Sequence, residues 1–317
     1  MDLPLTCPLE AGWQLVRTIR LPRMLADGRP LGGFSAAAYQ PKQDRLWLLS
    51  DAPIGHLVPW GGLAPWLQSQ RDTLRPGRRV LLREGDGQPL PQTFDGEGLV
   101  IEGRQAWIAS EGRRSQDRRA RLIRIDLGSG RLQQELPLPQ VWRATPGQGL
   151  GYYEGPESLT ALGPGDHLLA AEAPLLQHQS ADGISLMRRR LGEVIRSAGA
   201  LDVGGTGRYD GLTELLALPT RQQLLGLRRG LSRRIGSRPG FSCSGCLNPR
   251  GLRCSRSSAG TCWRPVCRRT TGRRWRWALR CRMDDRPLVL ASDDNFNPLQ
   301  SGWLGVLTPR RTTACTD

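Results

Sequence analysis

Lysine is nearly absent from this 317-residue chain, and Lys42 is the single one. The glycine-rich stretch Gly204-Gly-Thr-Gly207 therefore lacks the lysine that a phosphate-cradling P-loop needs, and it reads as an ordinary loop. Histidine is scarce too: His56, His167 and His178 are the only three, and no Gly-x-Ser-x-Gly elbow accompanies them. That disfavours a serine triad. No run of about 18 apolar residues occurs, so no membrane-spanning helix is written here. The opening Met1-Asp2-Leu3-Pro4 lacks the basic and apolar regions of a signal peptide, which leaves location unknown. A start further upstream would make a periplasmic or secreted protein the expectation. Cys243-x-x-Cys246 has no second CxxC and no histidine near it, so a zinc module is not expected.

Acidic residues are also missing, but only locally. The net charge is +16, yet from Glu214 to Asp284 there is no intervening acid, and 17 of the 45 basic residues lie in that interval. Six of the eight cysteines fall there as well. The remaining chain is electrostatically near neutral. The overall basicity is thus a property of one segment, and it says little about the fold.

What is present is repetition. Leu46-Trp-Leu-Leu-Ser-Asp51, Ala106-Trp-Ile-Ala-Ser-Glu111, His167-Leu-Leu-Ala-Ala-Glu172 and Leu288-Val-Leu-Ala-Ser-Asp293 are apolar strands closing on an acid. Gln223-Leu-Leu-Gly-Leu-Arg228 is a weaker copy. Each of the first four in chain order follows a second element: Phe34–Tyr39, Asp95–Val100, Glu154–Leu159 and Asp210–Leu215. Pairs joined by Gly-, Pro- or Asp-bearing turns read as β-hairpins, Lys42 lying in one such turn. At about 60 residues per unit the pattern predicts an all-β protein, a β-propeller. Five units are visible, and Trp13–Leu21 is expected to complete a sixth blade. Ser185–Ala198 is the one modest helix candidate.

These stretches, in order, resemble the phytase-like (esterase-like activity of phytase) family. They are GGFSAAAYQPKQDRLWLLSD at 32–51, FDGEGLVIEGRQAWIASEG at 94–112 and YYEGPESLTALGPGDHLLAAEAPL at 152–175, then YDGLTELLALPTRQQLLGLRRG at 209–230 and PLVLASDDNFNPLQSGWLGVL at 287–307. The resemblance implies one domain over 13–307, a short tail at 308–317, and ester or phosphate-ester hydrolysis.

It lapses over 231–283, where the chain becomes Arg-, Trp- and Cys-rich. Three readings compete: a nucleic-acid-binding arm, a disordered basic loop, and translation in a shifted frame. With GC-rich codons, the bases under 263–277 read one nucleotide earlier can encode LAPGLPPDNWEAMALG. The segment starting at Pro239 can likewise encode AWFQLFRLPEP. Both look like propeller sequence, and the first supplies an acid-bearing strand before Leu288, so the shifted frame is favoured. A chain carrying that shift is expected to have one damaged blade and to be impaired.

Equivalent positions of successive blades converge on one end of the central channel. A ring of carboxylates there favours a hard cation such as Ca²⁺. The expected metal ligands are Asp51, Glu111, Glu172, Asp293, Asp294 and Asn295, with Glu97, Glu157 and Glu214 as the catalytic carboxylates. The plainer reading makes these acids acceptors for backbone N–H groups in turns. The expected function is metal-assisted hydrolysis of a small-molecule phosphate ester or other ester by a monomer, with no nucleic acid or membrane partner. The alternative is a non-catalytic propeller that binds a ligand or protein.

Overall fold

A computed structural model describes residues 2–3, 13–69, 72–115, 118–178, 183–202, 211–218, 223–231, 237–246, 252–253, 275–277 and 287–309. Leu46–Leu49 shows why the blades form. Leu46 and Leu48 enter one apolar cluster, while Trp47 and Leu49 enter another. A strand with alternating faces and apolar residues on both must be covered on both sides, and stacking it between two neighbouring sheets does that. The same division recurs in the next hairpin. Ala106 and Ile108 pack with the first blade, Trp107 and Ala109 with the third.

Five sheets result, antiparallel except where Leu252–Arg253 pairs parallel with Arg196–Asp202. Blade 1 is built on Phe34–Gln40, Arg45–Ser50 and His56–Gly61, with short outer pieces Arg75–Pro76 and Val80–Leu81. Blade 2 runs Gly96–Glu102, Gln105–Ser110, Arg121–Asp126, Leu132–Leu136. Blade 3 runs Pro156–Gly163, Asp166–Ala171, Gly183–Arg190, Arg196–Asp202, and Leu252–Arg253 joins its edge. Blade 4 holds Gly211–Leu218, Gln223–Leu231 and Ser237–Cys246. Blade 5 holds Trp275–Trp277, Leu288–Ser292 and Trp303–Pro309. The first strand of each blade lies against the first strand of the next, and that of blade 5 returns to blade 1. The ring is closed, and the fold is a β-propeller.

Two expectations change. The strand Trp13–Arg20 does not found a sixth blade; it pairs antiparallel with Trp303–Pro309 in blade 5, with Asp2–Leu3 along its other edge. Closure of the ring thus uses hydrogen bonds between Trp13–Arg20 and Trp303–Pro309, strands far apart in sequence. The helix candidate is also a hairpin. Gly183–Arg190 pairs with Arg196–Asp202, with Gly192 at φ +77° in the turn. Ile184 and Leu186 both point into the core while Ser185 between them is less buried, an alternation of period two. Among the described residues the longest helix is Leu63–Gln68.

Candidate functional site

A bulge opens the inner strand of each of the first four blades. Phe34 faces Ser50 but Ala36 faces Leu49, so Ser35 is the extra residue. By the same register the extra residue is Glu97 in blade 2, Glu157 in blade 3 and Thr213 in blade 4. A bulge re-aims a side chain at a sheet end. Here it recurs at the same end of four neighbouring strands. Glu97 and Glu157 are each 0% exposed, and Ser35 and Thr213 are buried beside them in the ring order. Glu214, expected as the third member of the Glu97 and Glu157 set, stands one residue past its bulge. Its Oε1 accepts the N–H of Leu215 at 3.0 Å.

Blades 2 and 3 approach closely because residue 98 is glycine. A Cβ there would lie 2.7 Å from the backbone nitrogen of Leu159. The acids that close the hairpins stand on a common frame. Asp51 N donates to Gly33 O at 2.8 Å, Glu111 N to Asp95 O at 2.8 Å, and Glu172 N to Gly155 O at 2.9 Å. These bonds hold Asp51 and Glu111 beside the bulged glutamates.

Two carboxylate groups follow. One oxygen each from Glu97, Glu111 and Glu157 lie within 4.8 Å of one another, and all three residues are buried. Asp51, Asp95 and Glu97 form a second such group, with the two aspartates partly exposed. Glu97 belongs to both. All donors are carboxylate oxygens, a set that suits a hard divalent cation. Burial of several like charges at this spacing is costly without a proton or cation among them. The residues present fit a metal ion.

The second group opens to solvent through a cavity of about 270 Å³, lined among others by Asp51, Phe94, Asp95, Arg113, Arg118, Asn295 and Phe296. Both arginines leave one pinched loop, in which Arg113 N donates to Arg118 O. Two arginines and two aspartates therefore line one small space. A second cavity, of about 440 Å³, shares Thr93, Phe94 and Arg118 with the first and continues past Arg119 and Arg121.

The other expected ligands do not enter these two carboxylate groups. Glu172 packs over Gly211, where a Cβ would meet its Oε1 at 2.3 Å. Asp293 Oδ1 accepts the N–H of Asn295 at 2.6 Å. Asp294 Oδ1 accepts from Gly33 at 2.9 Å and from Phe296 at 3.2 Å, tying blade 5 to blade 1. Asn295 lines the cavity but is exposed, and its Nδ2 donates to Gln300 Oε1 at 3.2 Å. Of the expected metal set, Asp51 and Glu111 enter the carboxylate groups, as do Glu97 and Glu157 from the catalytic set. Asp95, the third member of the outer group, was not among the expected residues, although its place in Asp95-Gly96-Glu97 was a usable signal. Arg113 and Arg118 had none, because arginines in an arginine-rich loop look like solvated surface.

A family model agrees with the resemblance read from the sequence. The model of the phytase-like family, described as esterase-like activity of phytase, matches residues 29–242. The match ends inside the Arg- and Cys-rich stretch. No curated protein matches. Among solved structures, the β-propeller domain of Cps50 (Swd1) from Myceliophteria thermophila is 14% identical with a TM-score of 0.37. The alignment covers 88% of this chain and 65% of that one, so this chain spans less than two thirds of its length.

Proposed function

This chain belongs to the phytase-like family, and from that premise we propose that it hydrolyses small anionic esters, phosphate esters foremost, at the mouth of the propeller channel with the help of a divalent cation. One observation carries the reading: Glu97 is shared by two three-carboxylate groups, the outer of which opens into a cavity faced by Arg113 and Arg118. Acids alone would repel an anionic ester, and arginines alone would only bind it. Together they suit an anion held against a cation.

Glu97, Glu111 and Glu157 would hold a cation in the buried group, and Asp51, Asp95 and Glu97 one at the cavity, Ca²⁺ being the candidate. Such an ion, when bound, neutralises charge and polarises the ester oxygen. The chain's own groups do the rest. Arg113 and Arg118 take the non-bridging oxygens of the ester by charge-assisted hydrogen bonds and orient it. Asp51 and Asp95 are the partly exposed carboxylates of the cavity wall, and whichever of the two the cation leaves spare accepts a proton from the attacking water. Glu97 and Glu157, expected as proton acceptors, are better placed as buried ligands. The size of the cavity suits a small-molecule ligand.

The test is hydrolysis of p-nitrophenyl phosphate and phytate by the purified protein, with Ca²⁺ and with a chelator, alongside calorimetric Ca²⁺ titration. Metal-dependent turnover supports the reading. Ca²⁺ binding without turnover favours a ligand-binding propeller, and neither binding nor turnover removes the proposal.

A further inference from the structure

Residues of bulky side chain rarely adopt positive φ, and where they do the strain is often functional. Among the described residues four non-glycine positions do so: Asp44, Tyr153, Asn295 and Phe296. Asp44 ends a hairpin turn at the far end of blade 1. The other three stand at the channel mouth. Tyr153 has φ +59° in the link that leads into the inner strand of blade 3, and Asn295 and Phe296 have φ +48° and +49° just after the second strand of blade 5.

The exposed aromatic residues gather in the same place. Tyr152, Tyr153 and Phe296 are 59%, 39% and 42% exposed, and they are the aromatics among the described large apolar residues left open to solvent. Phe296 lines the cavity that holds Asp51 and Asp95. Its ring lies over Gly33, where a Cβ would be 2.4 Å from it and 2.5 Å from Asp51 Oδ1. The Asp294 carboxylate fixes the turn through the N–H of Phe296. Tyr153 lies under the guanidinium of Arg113 at 4.1 Å, with Tyr152 edge-on to it at 4.4 Å. One ring therefore flanks the outer carboxylates, and the other supports an arginine of the same cavity. Strained backbone presents both.

We propose that Phe296, with Tyr153 positioning Arg113 beside it, forms an aromatic subsite that receives the alcohol portion of the ester on the Phe296 ring, selecting aryl esters over small alkyl ones. This rests on the anionic-ester reading above and adds the identity of the leaving group. The ester's charged end lies between the outer carboxylates and Arg113 and Arg118. A planar ring on its bridging oxygen then extends toward Phe296, where offset or edge-on stacking replaces water on an exposed aromatic face. Tyr153 acts through Arg113, holding the guanidinium over its ring, so it is a positioning residue.

The experiment compares kcat/KM for phenyl phosphate and ethyl phosphate in the intact chain, F296A, F296Y, Y153A and Y153F. Comparing this aryl-to-alkyl ratio between variant and parent cancels the different chemical reactivity of the two esters. F296A should lower the aryl-to-alkyl ratio about five-fold, and F296Y should restore it. Y153A should raise KM for both esters with little change in the ratio, and Y153F should restore KM. An aryl-to-alkyl ratio untouched by F296A overturns the subsite. Should the protein turn over neither ester, calorimetry with phenylphosphonate and methylphosphonate decides instead. Tighter binding of the phenyl compound that F296A abolishes upholds the subsite even though hydrolysis has failed. Equal or absent binding of the two compounds overturns it.

Discussion

Glu97 sits where two carboxylate groups meet, so removing its charge acts on both. Glu97→Gln should reduce repulsion in the metal-free protein and leave its melting temperature unchanged or higher. It should also weaken Ca²⁺ binding by on the order of 100-fold and erase the rise in melting temperature that Ca²⁺ produces. Calorimetry and thermal melts with and without Ca²⁺ check this, and a Glu97→Gln protein that binds Ca²⁺ normally would remove Glu97 from the ligand set. His56 makes a separate prediction. It is buried at the start of the third strand of blade 1. Its Nδ1 is 3.1 Å from Ile54 O, and its Nε2 has no hydrogen-bond partner among the described residues. Burial lowers its pKa to about 4, and Arg79 adds to the effect against the opposing Ile54 carbonyl. The unfolded chain takes up the proton below pH 6.5 while the folded chain stays neutral, so stability is lost as pH falls from 6.5 toward 4. The loss attributable to this residue is about 2 kcal/mol by pH 5. Urea unfolding at pH 7 and pH 5 should show a smaller difference in His56→Gln than in the parent.

The recurring bulge is the element-scale device that makes the site. It sets Ser35, Glu97, Glu157 and Thr213 at equivalent places, and only the two middle blades carry an acid there. The site is therefore lopsided toward blades 2 and 3. Those blades are joined at the site end by the Gly98 contact and at the opposite end by a polar joint. There His167 Nε2 is 3.2 Å from Glu102 Oε1, Gly165 N donates to the same oxygen at 2.7 Å, and Arg189 stacks over Trp107 at 4.1 Å. Burial pushes the Glu102 carboxyl up, but the Gly165 N–H and His167 outweigh it and hold it below its ordinary range. With the far end fixed in this way, a wedge at the near end cannot be absorbed by tilting. Gly98→Ala should cost about 1–3 kcal/mol and weaken Ca²⁺ binding, because it moves Glu97 away from Glu157. Denaturant unfolding and Ca²⁺ titration read the two effects. Loss of stability with unaltered Ca²⁺ affinity would separate the blade contact from the site.

At the scale of the molecule, the described part of the ring is uneven. Among the described residues its inner strands have 7, 7, 8 and 8 residues in blades 1 to 4 and 3 in blade 5. The apolar cluster between blades 4 and 5 is the smallest among the described residues, with Leu225, Leu227, Leu288, Leu290 and Leu307 buried. Most of the Arg- and Cys-rich stretch lies outside the described residues, and the proposed frame shift falls there. The short strand Trp275–Trp277, paired with Leu290–Ser292, occupies the place for which the alternative frame would supply DNWEAMALG. Resequencing the gene should reveal compensating insertions or deletions near codons 230–233 and 283–286. The corrected protein should then melt at a higher temperature than the present one. An intact single frame across the region would end the proposal.

Hairpins, their order, the propeller class and the family were legible in the sequence, because a strand covered on both faces must be written as a short apolar run and turns must be written in Gly, Pro and Asp. The repeated acids were legible as a set, but their division into roles was not. Spacing along a chain cannot show that a bulge shifts Glu214 out of line with Glu97 and Glu157, or that Asp293 and Asp294 face backbone N–H groups. Blade number was decided by closure: Trp13–Arg20 had a free edge to pair with in the last sheet, and pairing there leaves no strand for a sixth. The cavity was decided by tertiary structure alone. Arg113, Arg118, Phe296 and Tyr153 come from loops of three blades, and nothing local to any one of them says that they meet. Near residues and their backbone preferences suffice to write a blade, whereas a site at the mouth of a ring exists only after the ring has closed.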